Sequence, residues 1–351
     1  MQNNPYLHAL GAEIPIIQAP MAGVQGSALA VAVCRAGGVG SLPAAMLTPE
    51  KLREELAAIR DAVGGKPYNV NFFAHRNPEV SEAQKAAWFD VLKPYFEEFG
   101  LTQADIPAGG GRNPFDETAL EMVQAFKPPV VSFHFGLPEK PLLEAVKATG
   151  AQVWSSASTV EEARWLEANG ADAVIAQGWE AGGHRGMFLS RDLGAQSGTF
   201  ALLPNIVAAV KLPVIAAGGI SNAQTVRAAF DLGAAAVQPG TAFLLADEAT
   251  TSAAYRAALQ SPRAGHTVIT NLFSGGFARG IANRFIREAG PINASALPFP
   301  FSGAAAGVLK AAAERAGSDE FSSFWAGQNA RFAQAGSAEE ILHSLAEGLA
   351  G

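Results

Sequence analysis

Short apolar runs alternate with longer amphipathic stretches along most of this chain. Runs at 14–18, 38–42, 68–73, 130–135, 152–156, 173–177, 214–217 and 235–238 read as buried strands. Apolar positions at helical spacing occupy 27–36, 49–63, 140–149, 160–169 and 223–232 between them. Strand–helix alternation of this kind builds parallel βαβ units, and eight such strands predict an α/β protein folded as a closed (β/α)8, or TIM, barrel. Gly170-Ala171-Asp172-Ala173-Val174 and Gly233-Ala234-Ala235-Ala236-Val237 echo each other at equivalent helix-to-strand turns.

Two stretches exceed a minimal barrel. Residues 76–129 are too long for one crossover; they carry helical patterns at 82–99 and 116–126, split by the loop Gly109-Gly110-Gly111. The tail after about residue 260 adds a Gly/Ala/Phe-rich segment and two helices, one of them the Ala-rich run 304–316. The expected organisation is a barrel from 1–75 and 127–260, and a smaller, helical, substrate-facing subdomain from 76–126 and 261–310. Residues 311–351 are then C-terminal helices packed on the barrel.

Composition narrows the partners. The chain has 351 residues, 49% hydrophobic and 16% charged, enough for a large core. Its formal net charge of −7 argues against nucleic acid or an anionic membrane as a partner. Cys34 is the single cysteine, so neither an intramolecular disulfide nor a thiolate cluster can form. It falls on an apolar helix face and reads as inert. No basic-then-apolar leader opens the chain, and no apolar run reaches the roughly 18 residues of a membrane span. A cytoplasmic location is the expectation.

The chemistry gathers where the strands end. The sixth run leads into Ala176-Gln177-Gly178-Trp179-Glu180-Ala181-Gly182-Gly183-His184-Arg185-Gly186, four glycines around a titratable histidine. Glycines admit close backbone approach and positive φ, and barrel enzymes carry their chemistry on such loops. The first run ends Gln18-Ala19-Pro20-Met21-Ala22-Gly23, the seventh Ala217-Gly218-Gly219-Ile220-Ser221 and the eighth Gln238-Pro239-Gly240-Thr241. Glycine-exposed amides after strands seven and eight are the usual phosphate site of a barrel. The amides of Gln18, Asn71 and Gln177 match a flavin pyrimidine edge, and Ala19-Pro20-Met21 offers a flat wall to the ring. No Gly-x-Gly-x-x-Gly opens a helix after a strand, so FMN fits better than FAD. No His/Asp/Glu spacing marks a metal, and no Gly-x-Ser-x-Gly marks a hydrolase.

These motifs, with Asn71-Phe72-Phe73 and Phe133-His134-Phe135-Gly136-Leu137-Pro138, resemble those of the nitronate monooxygenase family, class I, in order and spacing from about residue 10 to 280. The resemblance implies an FMN-containing barrel with a second, smaller domain over the flavin. It implies oxidation of alkyl nitronates, such as propionate-3-nitronate, with O2 to carbonyl compounds and nitrite. It places FMN against Asn71, Gln177, Gly182, Gly183, Gly219 and Gln238 through Thr241, and makes His184 the catalytic residue. Where some members carry tyrosines, this chain has Leu297-Pro298-Phe299-Pro300-Phe301-Ser302, with Lys310 on the next helix, so a more apolar pocket is expected. A looser Gly-Gly-His occurs in flavin enoyl reductases, and a reductase using NAD(P)H on enoyl thioesters or quinones is the alternative.

His184 suits the nitronate chemistry in either protonation state. As imidazolium it pairs with the anion; as neutral imidazole it takes the α-proton of a neutral nitroalkane. The sequence leaves both open. His134, between two phenylalanines, reads as a satisfied core histidine, and His75 as a capping or mouth residue. Glu180 either pins the loop or sits in solvent, and Arg185 either binds an anion or makes a structural pair.

Overall fold

Strands β1 (Gly40–Pro43), β2 (Tyr68–Phe73), β3 (Val130–His134), β4 (Gln152–Ala157), β5 (Ala173–Gln177), β6 (Gly183–His184), β7 (Val214–Ala217), β8 (Ala236–Val237), β9 (Thr267–Thr270) and β10 (Ala278–Ile281) form two sheets. The computed structural model describes residues 5–108 and 112–349, so Gly109-Gly110-Gly111 lies outside the described residues. The large sheet runs β1-β2-β3-β4-β5-β7-β8, every neighbouring pair parallel. β2, β5 and β7 are buried at every residue, so continuous apolar runs mark them where alternation would mark a half-exposed strand.

The first predicted strand, 14–18, makes only two bridges, Ile16 to Val237 and Ile17 to Val39. Those two bridges close the barrel. Ile17 N donates to Val237 O at 2.8 Å on one side, and Gln18 N to Val39 O at 2.9 Å on the other. Pro15 has no N–H to extend the ladder, and its carbonyl accepts from Val237 N at 3.2 Å. Inside the barrel, Ile17, Val39, Val130, Trp154, Ile175 and Ile215 share one core. A helix that the sequence pattern did not mark, Pro5–Ala9, packs Leu7 against it, and Trp154 Nε1 donates to the Tyr6 hydroxyl at 2.6 Å.

The outer helices follow local rules. Pro49–Val63 starts on Thr48, whose hydroxyl accepts from Lys51 N, and ends on Gly64 at φ 60°. Ala338–Ala346 buries Ile341, Leu342 and Leu345 against Leu29 and Val33 of the barrel's outer layer. The connection from β5 to β7 holds a further helix, Thr199–Ala209, that periodicity misses because Pro204 interrupts it.

Above the mouth, the insertion and the tail share one core. Trp88, Leu92 and Phe96 of helix Glu82–Glu98 pack with Leu309 of helix Ser302–Arg315, and with Phe285 and Phe321. This part is not purely helical: β9 and β10 form an antiparallel hairpin, and β6 adds to its edge with His184 opposite Ala278. The histidine loop is therefore held by the tail as well as by the barrel.

Candidate active site

A cavity of about 750 Å³ opens at the C-terminal ends of the barrel strands. Its walls carry Ala19, Pro20, Met21, Asn71, Gln177, the 180–184 loop, Gly218, Gly219 and Gln238 through Thr241. Those segments, far apart in sequence, meet because parallel strands put all their C-terminal ends on one side.

The 176–186 loop is held by hydrogen bonds on several sides. The Gln177 side chain donates to His184 O at 2.8 Å and accepts from Gly186 N at 2.7 Å. Arg185, 2% exposed, donates to Gly178 O at 2.5 Å, Gln177 O at 2.7 Å and Gln196 Oε1 at 2.8 Å. It is the structural clamp beneath the loop, not an anion ligand. Burial lowers its pKa to about 10, so it stays cationic at neutral pH. Glu180 pins the loop from another side: its carboxylate accepts from Thr199 N at 2.8 Å and Thr199 Oγ1 at 2.9 Å, capping helix Thr199–Ala209.

His184 lines the cavity with its Nε2 2.7 Å from Ser274 Oγ. Phe299 and Trp325 flank it at ring-centroid distances of 5.3 and 5.5 Å. Its accessible edge faces the cavity and not bulk water. Burial, reinforced by the Arg112 guanidinium and by His134 and His75, therefore holds its pKa well below the ordinary value. The imidazole is neutral at physiological pH. His134 lines the cavity too, and it is also fully satisfied. Its Nε2 lies 3.0 Å from His184 O, which can only accept, and its Nδ1 is 2.9 Å from Ser156 Oγ. Burial lowers its pKa to about 4. His75 bonds Asn77 Oδ1 at 3.1 Å and stacks edge-on against Phe299 at 4.8 Å.

At the strand-seven and strand-eight end, the amides of Gly219, Gly240 and Thr241 donate no hydrogen bond within the described residues. Gln238 Oε1 and Ser221 Oγ are buried there without a partner. Gly218 and Gly219 turn through φ 107° and 73°. Ala19 N donates to Pro239 O at 2.9 Å, tying this end to the Ala19-Pro20-Met21 wall.

Two residues expected to contact the flavin are hydrogen-bonded to protein groups. Asn71 lines the cavity while its Nδ2 donates to Ser132 Oγ at 3.0 Å. Gln18 is fully buried behind the wall. Its Oε1 accepts from Ser41 N at 3.0 Å and its Nε2 donates to Gln25 Oε1 at 2.7 Å. Gln25 Oε1 in turn accepts from Met21 N at 2.9 Å, so Gln18 supports the wall from behind and does not line the cavity.

A nitronate monooxygenase family profile matches residues 4–348. The chain is 44% identical to the nitronate monooxygenase of Pseudomonas aeruginosa, with 99% of each chain covered. The chain belongs to the nitronate monooxygenase family. It is an oxidoreductase by that membership. Among solved structures it is similar to the nitroalkane oxidase of Streptomyces ansochromogenes, at TM-score 0.89 and 38% identity, covering 98% and 97% of the two chains. FabK from Thermotoga maritima is a more distant likeness, at TM-score 0.73 and 27% identity, covering 100% and 97%. No described helix is long and apolar enough to cross a membrane.

The family fold brings in residues that sequence reasoning missed. A strap at 325–329 crosses the mouth. Gln328 N donates to Glu180 O at 2.9 Å, Gly327 N to Thr241 Oγ1 at 3.0 Å, and Asn329 Nδ2 to Gly219 O at 2.7 Å. The Tyr255 hydroxyl donates to Trp325 O, and its ring stacks on Phe324 at 4.5 Å. Arg112 and Lys310 line the same cavity. Lys310 reaches Glu314 at 3.8 Å, whereas Arg112 has no acidic partner among the described residues and lies 6.0 Å over Phe299. Of these, Lys310 alone stood out in the sequence, on the helix after the phenylalanine-rich segment.

Proposed function

We propose that this enzyme binds FMN and oxidises alkyl nitronates with O2 to carbonyl compounds and nitrite. The observation that carries the reading is one cavity with two chemically different ends. One end has unpaired amides at Gly219, Gly240 and Thr241 beside the orphaned Gln238 Oε1. The other has a neutral histidine among aromatic rings.

The first end fits a single phosphate. Backbone N–H groups bind an anion without a cation, and a buried oxygen with no partner needs a donor such as a ribityl hydroxyl. Gly182, Gly183, Gly218, Gly219 and Gln238 through Thr241 would hold the phosphate and chain. Asn71, Gln177 and the Ala19-Pro20-Met21 wall would hold the ring. When bound, the flavin supplies the electron acceptor. His184 donates to or accepts from the substrate, Phe299 and Trp325 exclude water, and Arg112 supplies the positive field that draws an anion in. In domain terms, 1–75 and 127–260 carry the flavin, 76–126 and 261–310 cover it, and 311–351 brace the barrel.

The relatives' names differ on the form of the substrate, nitronate in one and nitroalkane in the other. The likeness to FabK is weaker in both identity and superposition, so the reductase alternative is the lesser reading. Two measurements test the proposal: the flavin released by heat, and nitrite and carbonyl product formed per O2 consumed from a preformed nitronate. FAD, or O2 uptake without nitrite, would contradict it.

A further inference from the structure

The tautomer of a buried imidazole is read from the partners of its two nitrogens. Ser274, 1% exposed, accepts from Gly276 N at 3.3 Å and lies 2.7 Å from His184 Nε2. Its hydroxyl proton has no other acceptor among the described residues. A buried hydroxyl that already accepts from backbone satisfies its own proton by donating it, and here only Nε2 can take it.

The turn bearing Ser274 has little freedom to rearrange. Gly275 sits at φ 83°, and a Cβ on it would fall 1.9 Å from Leu297 O, so residues 297–299 pack directly on the turn. A Cβ on Gly276 would lie 3.1 Å from His184 Cδ2, so this glycine leaves room for the ring edge beside Nε2. Phe73, Phe135, Phe299 and Trp325 surround the imidazole and offer it no acceptor. The charged and titratable groups that act on it are Arg112, His134 and His75, and none of them is acidic.

We propose that Ser274 is a positioning residue that holds His184 as the Nδ1–H tautomer, so that the cavity meets a hydrogen-bond donor and not a base. Nδ1 has no partner among the described residues and is the nitrogen left for a ligand. A neutral imidazole carrying its one proton on Nδ1, with Nε2 already accepting, has no lone pair free for an α-proton. It has an N–H aimed at a negatively charged oxygen. Resting on the nitronate reading, an N–H donor at this point suits an anion already formed and gives no base for the α-proton of a neutral nitroalkane.

The test is the nitrogen spectrum of the holoenzyme labelled with 15N-histidine, with His184 assigned by its loss in His184→Asn. The expected result is a protonated Nδ1 and an unprotonated Nε2 in the parent and in Ser274→Thr, with the pattern lost or mixed in Ser274→Ala. Turnover of a preformed nitronate then falls roughly 10- to 100-fold in Ser274→Ala, as when the partner orienting a functional imidazole is removed, and Ser274→Thr recovers it. The freshly dissolved neutral nitroalkane reacts at least about 100-fold more slowly than its nitronate, the share a general base typically contributes. A protonated Nε2 with a bare Nδ1 in the parent overturns the proposal, as does equal turnover of neutral and ionised substrate. The expected tautomer with no nitronate oxidation leaves Ser274's role standing and removes the nitronate reading.

Discussion

Adding one methyl group at Gly182 tests how the tail strap builds the site. A Cβ there would lie 2.6 Å from both Ala326 C and Gly327 N, and 2.9 Å from Ala326 Cα. Comfortable carbon contacts begin near 3.5 Å, so the strap must retreat by roughly 1 Å. It is tied by Gln328 N to Glu180 O, Gly327 N to Thr241 Oγ1 and Asn329 Nδ2 to Gly219 O. At about 0.5–1.5 kcal/mol net for each hydrogen bond, losing all three costs about 1.5–4.5 kcal/mol. If the strap holds instead, overpacking costs about 1–3 kcal/mol. Gly182 has no positive φ, so none of this is backbone strain. Gly183→Ala is the control: its φ is 73° and a Cβ would meet nothing within 4 Å, leaving only the roughly 1–2 kcal/mol of a left-handed residue. The assay is urea unfolding of both variants, with flavin content after gel filtration. Gly182→Ala is expected to lose more stability and more flavin than Gly183→Ala. Parent-like stability and flavin content in Gly182→Ala would refute the claim that the strap completes the site.

Three further outcomes follow from the same geometry. Gly240→Val places its branches beside Ala19 Cβ, 3.3 Å from the added Cβ, and is expected to weaken FMN binding more than it lowers the unfolding midpoint; unchanged affinity by fluorescence titration would remove the phosphate assignment. His134 has its pKa lowered to about 4 in the fold, against about 6.5 unfolded, so the unfolded chain binds more protons and stability falls as pH drops from about 6.5 toward 4. His134→Gln is expected to flatten that part of the stability–pH curve relative to the parent, and an identical slope would count against a neutral His134. Arg112→Gln removes a cation with no acidic partner, and is expected to raise KM for a nitronate with a smaller change in kcat and to weaken the salt dependence of kcat/KM; an unchanged KM would take Arg112 out of substrate attraction.

The parts of the fold that burial alone decides were legible in the sequence. β2, β5 and β7 keep the bounds their apolar runs predict because both faces are buried. Helix Pro49–Val63 is legible from its own cap, proline and terminal glycine. What depended on distant partners was not legible. β6 is a strand only because β10 lies beside it, and its two residues carry no local strand signal. Gln18 reads as a strand-end amide for a ligand, yet Ser41 and Gln25 claim both ends of it. Ser274 acts 90 residues along the chain from His184, beyond any spacing argument. The glycine loops, in contrast, announced themselves, because close approach at Gly182 and positive φ at Gly183, Gly218 and Gly219 tolerate few other residues.

On the proposed reading, this cavity binds FMN, and a nitronate supplies it with electrons. The direct measurement is the visible spectrum of the purified enzyme under strict anaerobiosis, first with a preformed nitronate and then, in a separate sample, with NADH. Loss of the yellow flavin absorbance with the nitronate, and none with NADH at comparable concentration, is the predicted result. Rapid bleaching by NADH with no response to the nitronate would contradict the account and favour the reductase chemistry.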